Sequence, residues 1–265
     1  MKPRHVVVLA AAMAMTAIAG CATNPPQGPD TTPATRARSD DSEARSRARI
    51  HTELASSYLD VGNLGVALEE VNEALRADSS YGPAYNVAGV VYAELRDDRL
   101  AEQSFERALR IDPIDSDANN NYGRFLCDRK REKEAIKYFL AALRNPLYQT
   151  PDRSYVNAGL CARRQGDLDT AQDFFQRALK VRPFQPQALY QLADLAYARG
   201  DYPAAKTHLS RVVQNVQPSA ELLWLALRVE RRLGDRNAET SLGLQLRRTF
   251  RESTESRSLQ DGQFG

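Results

Sequence analysis

The stretch that decides the fold is Tyr85–Pro113, YNVAGVVYAELRDDRLAEQSFERALRIDP. Small and aromatic residues occupy eight of its positions: Tyr85, Ala88, Gly89, Tyr92, Ala101, Phe105, Ala108 and Pro113. The Gly and Ala residues allow two helices to approach closely, the aromatic residues fill the remaining space, and the Pro ends the second helix. The stretch therefore predicts two packed helices joined by a turn at Arg96-Asp97-Asp98.

The same pattern recurs every 34 residues, which is the period and the signature of tetratricopeptide repeats. The fourth repeat carries it at Tyr155, Ala158, Gly159, Ala162, Ala171, Phe175, Ala178 and Pro183. The third repeat carries it at Asn119, Tyr122, Gly123, Leu126, Ala135, Phe139 and Ala142. Degenerate copies precede and follow these, and residues around Trp224 suggest a shortened sixth. Since each helix pair hides its apolar face only against its neighbours, we predict an all-α superhelical array of about six repeats.

Composition and pattern divide the chain into four segments. We predict a signal peptide at 1–20, a disordered tether at 21–44, the repeat domain at 45–249 and a polar, frayed tail at 250–265. An insertion at 145–152, Asn-Pro-Leu-Tyr-Gln-Thr-Pro-Asp, interrupts the repeat register with two prolines, which favour an extended loop.

The N-terminus has the pattern of a secretion signal. Lys2 and Arg4 precede an apolar stretch, 6–19, that is too short to span a bilayer comfortably. The stretch ends at Ile18-Ala19-Gly20-Cys21, which resembles a lipobox, so Cys21 is predicted to be acylated and to anchor the protein in a membrane. By resemblance to lipoprotein sorting, Ala22 indicates the outer membrane, with the repeats facing the periplasm. The alternative is an ordinary signal peptide cut nearby, with Cys21 uninvolved.

The tether prediction rests on composition. Pro25, Pro26, Pro29 and Pro33 lie among Thr, Ser, Asp and Arg residues, and such a segment buries too little apolar surface to fold.

Charge and motifs exclude several classes of function. The chain has 36 basic and 34 acidic residues, and the two basic residues of the signal account for the difference, so no basic excess favours nucleic acid. The sequence contains no phosphate-binding glycine loop, no His-Glu-x-x-His helix and no nucleophile elbow. The three histidines are scattered. We therefore expect no enzyme, no metal site, no small-molecule substrate and no cofactor beyond the lipid on Cys21.

Three stretches resemble one family closely: Asn119–Cys127, Asn145–Tyr148 and Asn157–Cys161. They are similar to the PilF/PilW family of type IV pilus biogenesis lipoproteins, over essentially the whole mature chain. The resemblance implies a pilotin, an outer-membrane lipoprotein that binds the secretin subunit and helps it to localise or assemble into its ring. One departure is Arg251 after Phe250, where family members often carry proline. The alternative is a periplasmic repeat adaptor that recruits another envelope protein, such as a cell-wall enzyme.

Once Cys21 is assigned to lipid, two cysteines are left, Cys127 and Cys161. An oxidising compartment favours a disulfide between them. They lie late in the first helices of adjacent repeats. The alternative, two buried free thiols, stays open because periodicity cannot fix a Cα separation below about 7 Å.

The predicted binding surface is the concave face, which first helices line in tetratricopeptide arrays. The second, fifth, ninth and twelfth positions of each repeat point into it. By that register the partner-binding groove contains Thr52, Ser56, Leu59, Asn86, Val90, Ala93, Asn120, Arg124, Tyr190, Asp194 and Tyr197. Its early part is small and mildly apolar, which suits an extended or helical peptide. The alternative is a solvated inner surface, with the partner on an edge or on the convex side.

Overall fold

Helices account for all regular secondary structure in the part of the chain that the structure describes. The structure is a computed structural model that describes residues 33–213 and 215–264, with side chains from residue 42 onward. The predicted signal, Cys21 and the start of the tether lie outside these residues. By its internal contacts the chain divides into two units, Met1–Ser42 and Glu43–Gly265, and the packing below is that of the second.

Six helix pairs follow one another along the chain, as the repeat pattern predicts. The first helices of the pairs are α1 (Pro33–Asp60), α3 (Gly82–Glu94), α5 (Ser116–Asp128), α7 (Pro151–Arg164), α9 (Pro186–Ala198) and α11 (Ala220–Leu233). The second helices are α2 (Leu64–Ala77), α4 (Asp98–Ile111), α6 (Glu132–Ala142), α8 (Leu168–Val181), α10 (Tyr202–Val213) and α12 (Arg236–Thr249). A short helix, α13 (Thr254–Gln260), follows them.

Close approach within each central pair depends on glycine. A Cβ atom added to Gly159 would lie 2.5 Å from the ring of Phe175, and one added to Gly89 would lie 2.6 Å from that of Phe105. Gly123 stands in the same relation to Phe139, at 2.8 Å. All three phenylalanines are almost completely buried. The signature glycine therefore makes room for the signature phenylalanine, as the sequence pattern predicts.

One residue in the left-handed region closes the turn inside each repeat. These residues are Gly62, Arg96, Lys130, Gly166, Gly200 and Gly234. The interval between them is 34 residues, except for the 36 residues between Lys130 and Gly166. The two extra residues lie in the loop before α7, where the sequence predicts the insertion. Arg96 and Lys130 adopt this conformation although they carry side chains, at φ 63° and 61°.

The first repeat forms an open edge. Leu54, Ala55 and Tyr58 occupy the signature positions of this degenerate repeat. Leu54 and Tyr58 are exposed, while Ala55 is fully buried. The structure also differs from the predicted tether, because α1 begins at Pro33 and makes residues 33–44 helical. Proline fits the first turn of a helix, and the Ala and Arg residues after it favour helix.

The C-terminal end is more ordered than the sequence predicts. The tail after Phe250 includes α13, whose Ser256 is fully buried, and Phe264 stacks on Trp224 with ring centroids 5.6 Å apart. The Arg231 guanidinium lies 3.7 Å from the Phe264 ring centroid.

The sixth repeat is also not shortened, because α11 and α12 have 14 residues each. None of the described helices is long and apolar enough to cross a membrane.

Candidate peptide-binding groove

First helices of consecutive repeats lie side by side. α3 contacts α5, α5 contacts α7, and α9 contacts α11. Helices on the inside of a curved stack approach one another more closely than those on its outside. The first helices therefore form the inner surface of the array, which is where the predicted groove residues lie.

In α1 the groove residues are largely satisfied within the helix. Thr52 is 6% exposed and its hydroxyl donates to the Ala48 carbonyl, 2.7 Å away. The Ser56 hydroxyl donates to the Thr52 carbonyl at 3.0 Å. Leu59 is partly buried and packs against the core cluster that contains Val90. Thr52 thus lies under the surface rather than on it, and only Ser56 and Leu59 are partly accessible.

Side-chain amides link the next first helices. Asn121 donates to the side-chain oxygen of Asn86 at 3.1 Å, which joins α5 to α3. The side-chain oxygen of Asn120 accepts from Ser154 at 3.0 Å and from Asn157 at 2.9 Å, which joins α5 to α7. Asn120 is only 4% exposed, since position five of this repeat lies between adjacent helices. We name Asn86, Asn120, Asn121, Ser154 and Asn157 the amide ladder.

An open pocket of about 220 Å³ lies between α3 and α5, and we call it the inner pocket. Three predicted groove residues line it: Val90, Ala93 and Arg124. Its other lining residues are Glu94, Arg96, Phe105, Asn121, Phe125, Asp128 and Arg129. Val90, Phe105 and Phe125 belong to the main core cluster and are each at most 9% exposed, so the accessible surface of the pocket is mostly polar. This volume equals about seven waters at ~30 Å³ each, which is room for one large side chain.

Charged residues at the rim of the inner pocket are mostly paired. The Arg129 guanidinium donates to the Asp98 carboxylate at 2.5 Å, and this hydrogen bond raises the pKa of Arg129. Asp128 accepts from Arg164 at 2.6 Å. Arg124 is exposed, and among the described residues no carboxylate pairs with it. Arg96 is likewise exposed, with no carboxylate partner among the described residues, so the rim offers two arginines whose hydrogen-bond donors are available.

The later part of the groove is engaged in internal contacts. Asp194 accepts from Arg163 at 2.5 Å, and the same guanidinium donates to Gln191. The ring of Tyr197 packs on that of Tyr202 at 5.5 Å and lies under Arg228, 4.4 Å from its guanidinium carbon.

Tyr190 lies apart from these pairs. It lines a separate pocket of about 330 Å³ that also includes Val216 and Leu222. Burial raises the pKa of the Tyr190 hydroxyl. The structure thus brings Val90, Ala93 and Arg124 together in one open site but places Tyr190 and Asp194 in a different part of the array.

Asn121, Asn157 and Phe125 take part in the site, although the repeat register does not mark them as groove positions. Asn121 and Asn157 occupy the sixth position of their repeats, one residue after the groove position that the register marks. The asparagine that recurs at the sixth position of the third and fourth repeats is the sequence signal that points to these two residues. Phe125 faces both the core and the inner pocket, which a simple division into core and groove positions cannot represent.

A disulfide joins Cys127 of α5 to Cys161 of α7, with Cα atoms 5.8 Å apart. Of the two alternatives that the sequence leaves open, the structure therefore contains the bridge. It connects the first helices on either side of the insertion and lies one residue from Asp128 at the rim of the inner pocket. The described residues contain no group of His, Cys, Asp and Glu that would hold a metal ion.

Comparison with known proteins places this architecture in a family. Models described as tetratricopeptide repeat match residues 52–115, 115–183 and 150–217. The type IV pilus assembly protein PilF of Pseudomonas aeruginosa is 30% identical over 244 residues, covering 92% of this chain and 93% of that protein. This chain belongs to the PilF/PilW family.

Solved structures of the PilF/PilW family agree with that assignment. The structure of Pseudomonas aeruginosa PilF superposes with a TM-score of 0.75 and 30% identity, covering 84% of this chain and 99% of the other. PilW, described as a widely conserved type IV pilus biogenesis factor, gives a TM-score of 0.70 and 31% identity, covering 80% and 97%. YrrB, described as a tetratricopeptide protein with an unusual peptide-binding site, superposes with a TM-score of 0.50 and 25% identity, covering 75% of this chain and 96% of the other. The protein is therefore a tetratricopeptide protein of type IV pilus biogenesis.

Proposed function

We propose that this protein is a pilotin, a lipid-anchored protein of the outer membrane that binds the type IV pilus secretin. In this proposal the repeats face the periplasm, and binding helps the secretin to reach the membrane and to assemble into its ring. Three observations support it: membership of a pilus biogenesis family, the lipobox-like sequence at Cys21, and the inner pocket.

The inner pocket carries the proposal, because it is an open, mostly polar depression on the surface that first helices form. Protein ligands are held mainly by a few side chains that fill such depressions, while the surrounding contacts add less. The amide ladder fixes the helices beside the pocket, so the site is formed before a partner arrives. Pre-formed sites lose less conformational entropy on binding.

Ala93 is the most suitable position for testing the site. It lines the inner pocket and is half-buried, whereas Val90 is 9% exposed and belongs to the core cluster. Glutamate at Val90 would place a charge among apolar side chains and would destabilise the fold. Ala93→Glu instead places the charge at the pocket wall.

The experiment is an affinity purification of tagged full-length protein from solubilised outer membranes. We expect the wild type and Ala198→Glu to retain the secretin, and Ala93→Glu to lose it. Ala198 is a matched control because it is exposed near the end of another first helix, α9. Circular dichroism and the melting temperature establish that the two variants fold alike. Secretin retention by a folded Ala93→Glu protein would contradict binding at the inner pocket, and retention of a cell-wall enzyme in its place would favour the adaptor function.

A further inference from the structure

A large cleft lies at the sixth repeat, between α12, α13 and the end of α11, and we call it the C-terminal cleft. Its volume is about 690 Å³. The repeat signature changes here. Nine residues after the left-handed turn residue, α4, α6 and α8 carry phenylalanine and α10 carries leucine, whereas α12 carries Gly243. Seven residues before that turn residue, where repeats two to four have glycine, α11 carries Leu227. The large and the small residue are therefore exchanged in the last repeat.

The exchange leaves the middle of one face of α12 without a large side chain. A Cβ atom added to Gly243 would lie 3.5 Å from Leu227, which is fully buried. Arg236, Thr240, Gly243 and Arg247 are spaced by four, three and four residues, so they lie on one face of the helix, and all four line the cleft. The Thr240 hydroxyl donates to the Arg236 carbonyl at 2.7 Å and so stays close to the helix. This face is a trough with an arginine at each end, about 16 Å apart along the helix.

The two end arginines are available to bind anions. Arg236 and Arg247 are exposed, and no carboxylate of the described residues forms an ion pair with either. Arg231, the third arginine of the cleft, donates to Glu239 at 2.8 Å and lies over the Phe264 ring. Of the residues that line the cleft, only Glu239 carries a carboxylate, and Arg231 neutralises it. The net charge of the cleft is therefore positive and comes from the two ends of the trough.

We propose that the C-terminal cleft is a second protein-binding site, which takes an extended acidic segment of a partner. One carboxylate of the segment binds Arg236, and a second, four residues away, binds Arg247. Residues four apart in an extended chain point to the same side and lie about 13 Å apart, and the long arginine side chains cover the remaining distance. Gly243 allows the backbone of the segment to approach α12. The residue midway between the carboxylates faces Leu244, which lines the cleft and is 64% exposed.

The separation of the two arginines favours this ligand over a compact anion such as phosphate. Two cations set about 16 Å apart match two separated charges on one chain. Each arginine presents a planar fork of donors that fits a carboxylate. The site belongs to the sixth repeat and is separate from the inner pocket, which repeats two and three form.

The test uses the full mature protein in detergent and three fluorescein-labelled peptides. The spaced peptide is Ser-Asp-Ser-Leu-Ser-Asp-Ser. The close peptide, Ser-Ser-Asp-Leu-Asp-Ser-Ser, has the same composition with its carboxylates two residues apart, and the neutral peptide is the spaced peptide with Asn in place of Asp. We expect the spaced peptide to bind about tenfold more tightly than the neutral peptide and about threefold more tightly than the close peptide, which reaches only one arginine.

Variants connect this preference to the two arginines. Arg236→Gln and Arg247→Gln should each make the spaced and close peptides bind equally, and the double variant should bind all three peptides equally. Arg248→Gln is the matched control, because it removes the same charge from an exposed neighbouring position of α12 that does not line the cleft. It should behave like the wild type. The melting temperature of each variant establishes that the fold is intact.

Three results would overturn the assignment: equal affinity of the wild type for the spaced and close peptides, binding of none of the peptides, or an equal loss of affinity in Arg248→Gln. Displacement of the spaced peptide by inorganic phosphate, where sodium chloride of equal ionic strength does not displace it, would also overturn it, in favour of a small-anion site. Ala93→Glu, altered at the inner pocket, should bind the spaced peptide as the wild type does. Failure of the proposed function therefore leaves this test unaffected.

Discussion

Asn121 of α5 donates a 3.1 Å hydrogen bond to the side-chain oxygen of Asn86 on α3. The two side chains hold adjacent first helices at a fixed distance beside the inner pocket. Asn86 is 7% exposed, so the hydrogen bond is shielded from competing water. A buried, satisfied polar contact of this kind favours one relative position of two repeats over others. The inner pocket is therefore a property of the packed array and not of a single helix.

The contact between Gly159 and Phe175 predicts a large effect of a single methyl group. Gly159→Ala would place a Cβ 2.5 Å from the phenylalanine ring, which is fully buried and cannot move aside. We expect a loss of about 1–3 kcal/mol in the free energy of unfolding, from overpacking. Urea denaturation measures it. Gly65→Ala is the matched control, since nothing lies within 4 Å of its Cβ, and it should not lower the free energy of unfolding. Equal effects of the two substitutions would refute the packing argument.

The left-handed turn residue Lys130 predicts a stabilising substitution. Its φ of 61° strains a residue with a side chain, whereas the same turn position in four other repeats is glycine. Lys130→Gly should raise the free energy of unfolding by about 1 kcal/mol, through relief of that strain. Lys137→Gly, at an exposed position in the middle of α6, should lower it by about 0.5–1 kcal/mol because glycine is a poor helix former. A lower free energy of unfolding for Lys130→Gly would show that the lysine side chain stabilises the fold by more than its backbone strain destabilises it.

The bridge between Cys127 and Cys161 predicts a redox-dependent stability. Mass spectrometry of the unreduced, alkylated protein should find both thiols protected. The bridge spans 34 residues of sequence, and cross-linking a loop of this size stabilises a protein by about 3.8 kcal/mol in the chain-entropy model. Reduction should therefore lower the unfolding midpoint of the wild type, while a Cys127→Ala/Cys161→Ala protein should not respond to reductant. Two alkylated thiols in the untreated protein would mean that the bridge does not form in the cell.

The predicted anchor at Cys21 makes the location of the protein depend on one residue. Cys21→Ser should yield a folded protein in the soluble periplasmic fraction, because stable membrane attachment requires more than one acyl chain and the substitution removes all of them. Membrane fractionation with immunoblotting measures this, and the melting temperature should be unchanged. Outer-membrane association of the unlipidated variant would show that partner binding alone retains the protein.

Much of the fold is predictable because the repeat signature describes local packing. Gly89 and Phe105 are 16 residues apart in sequence, and their contact recurs at Gly123 with Phe139 and at Gly159 with Phe175. The insertion was also visible, since two prolines at a break in the register leave few alternatives to a loop. Such features depend on one repeat and its own turn, which the sequence period contains.

The remainder depends on contacts between repeats and at the ends of the array. Thr52 and Asn120 occupy groove positions but are buried, and Asn120 is buried where its side chain joins α5 to α7. Tail residue Phe264 packs on Trp224 even though its neighbours in sequence are polar. The asparagines at the sixth position are visible in the sequence, but the helices that Asn121 and Asn157 link depend on how neighbouring repeats pack. The sequence period does not specify the angle by which one repeat is rotated relative to the next.

The central claim, that the inner pocket binds the secretin, is tested most directly by cross-linking from within it. A photo-reactive amino acid is introduced at Ala93 of the full-length protein in living cells that assemble pili, and at Ala198 as the matched control. After irradiation, mass spectrometry identifies the protein attached at each position. The account predicts a secretin adduct at position 93 and none at position 198. An adduct of position 93 with a different envelope protein, or secretin cross-linked equally at both positions, would contradict it.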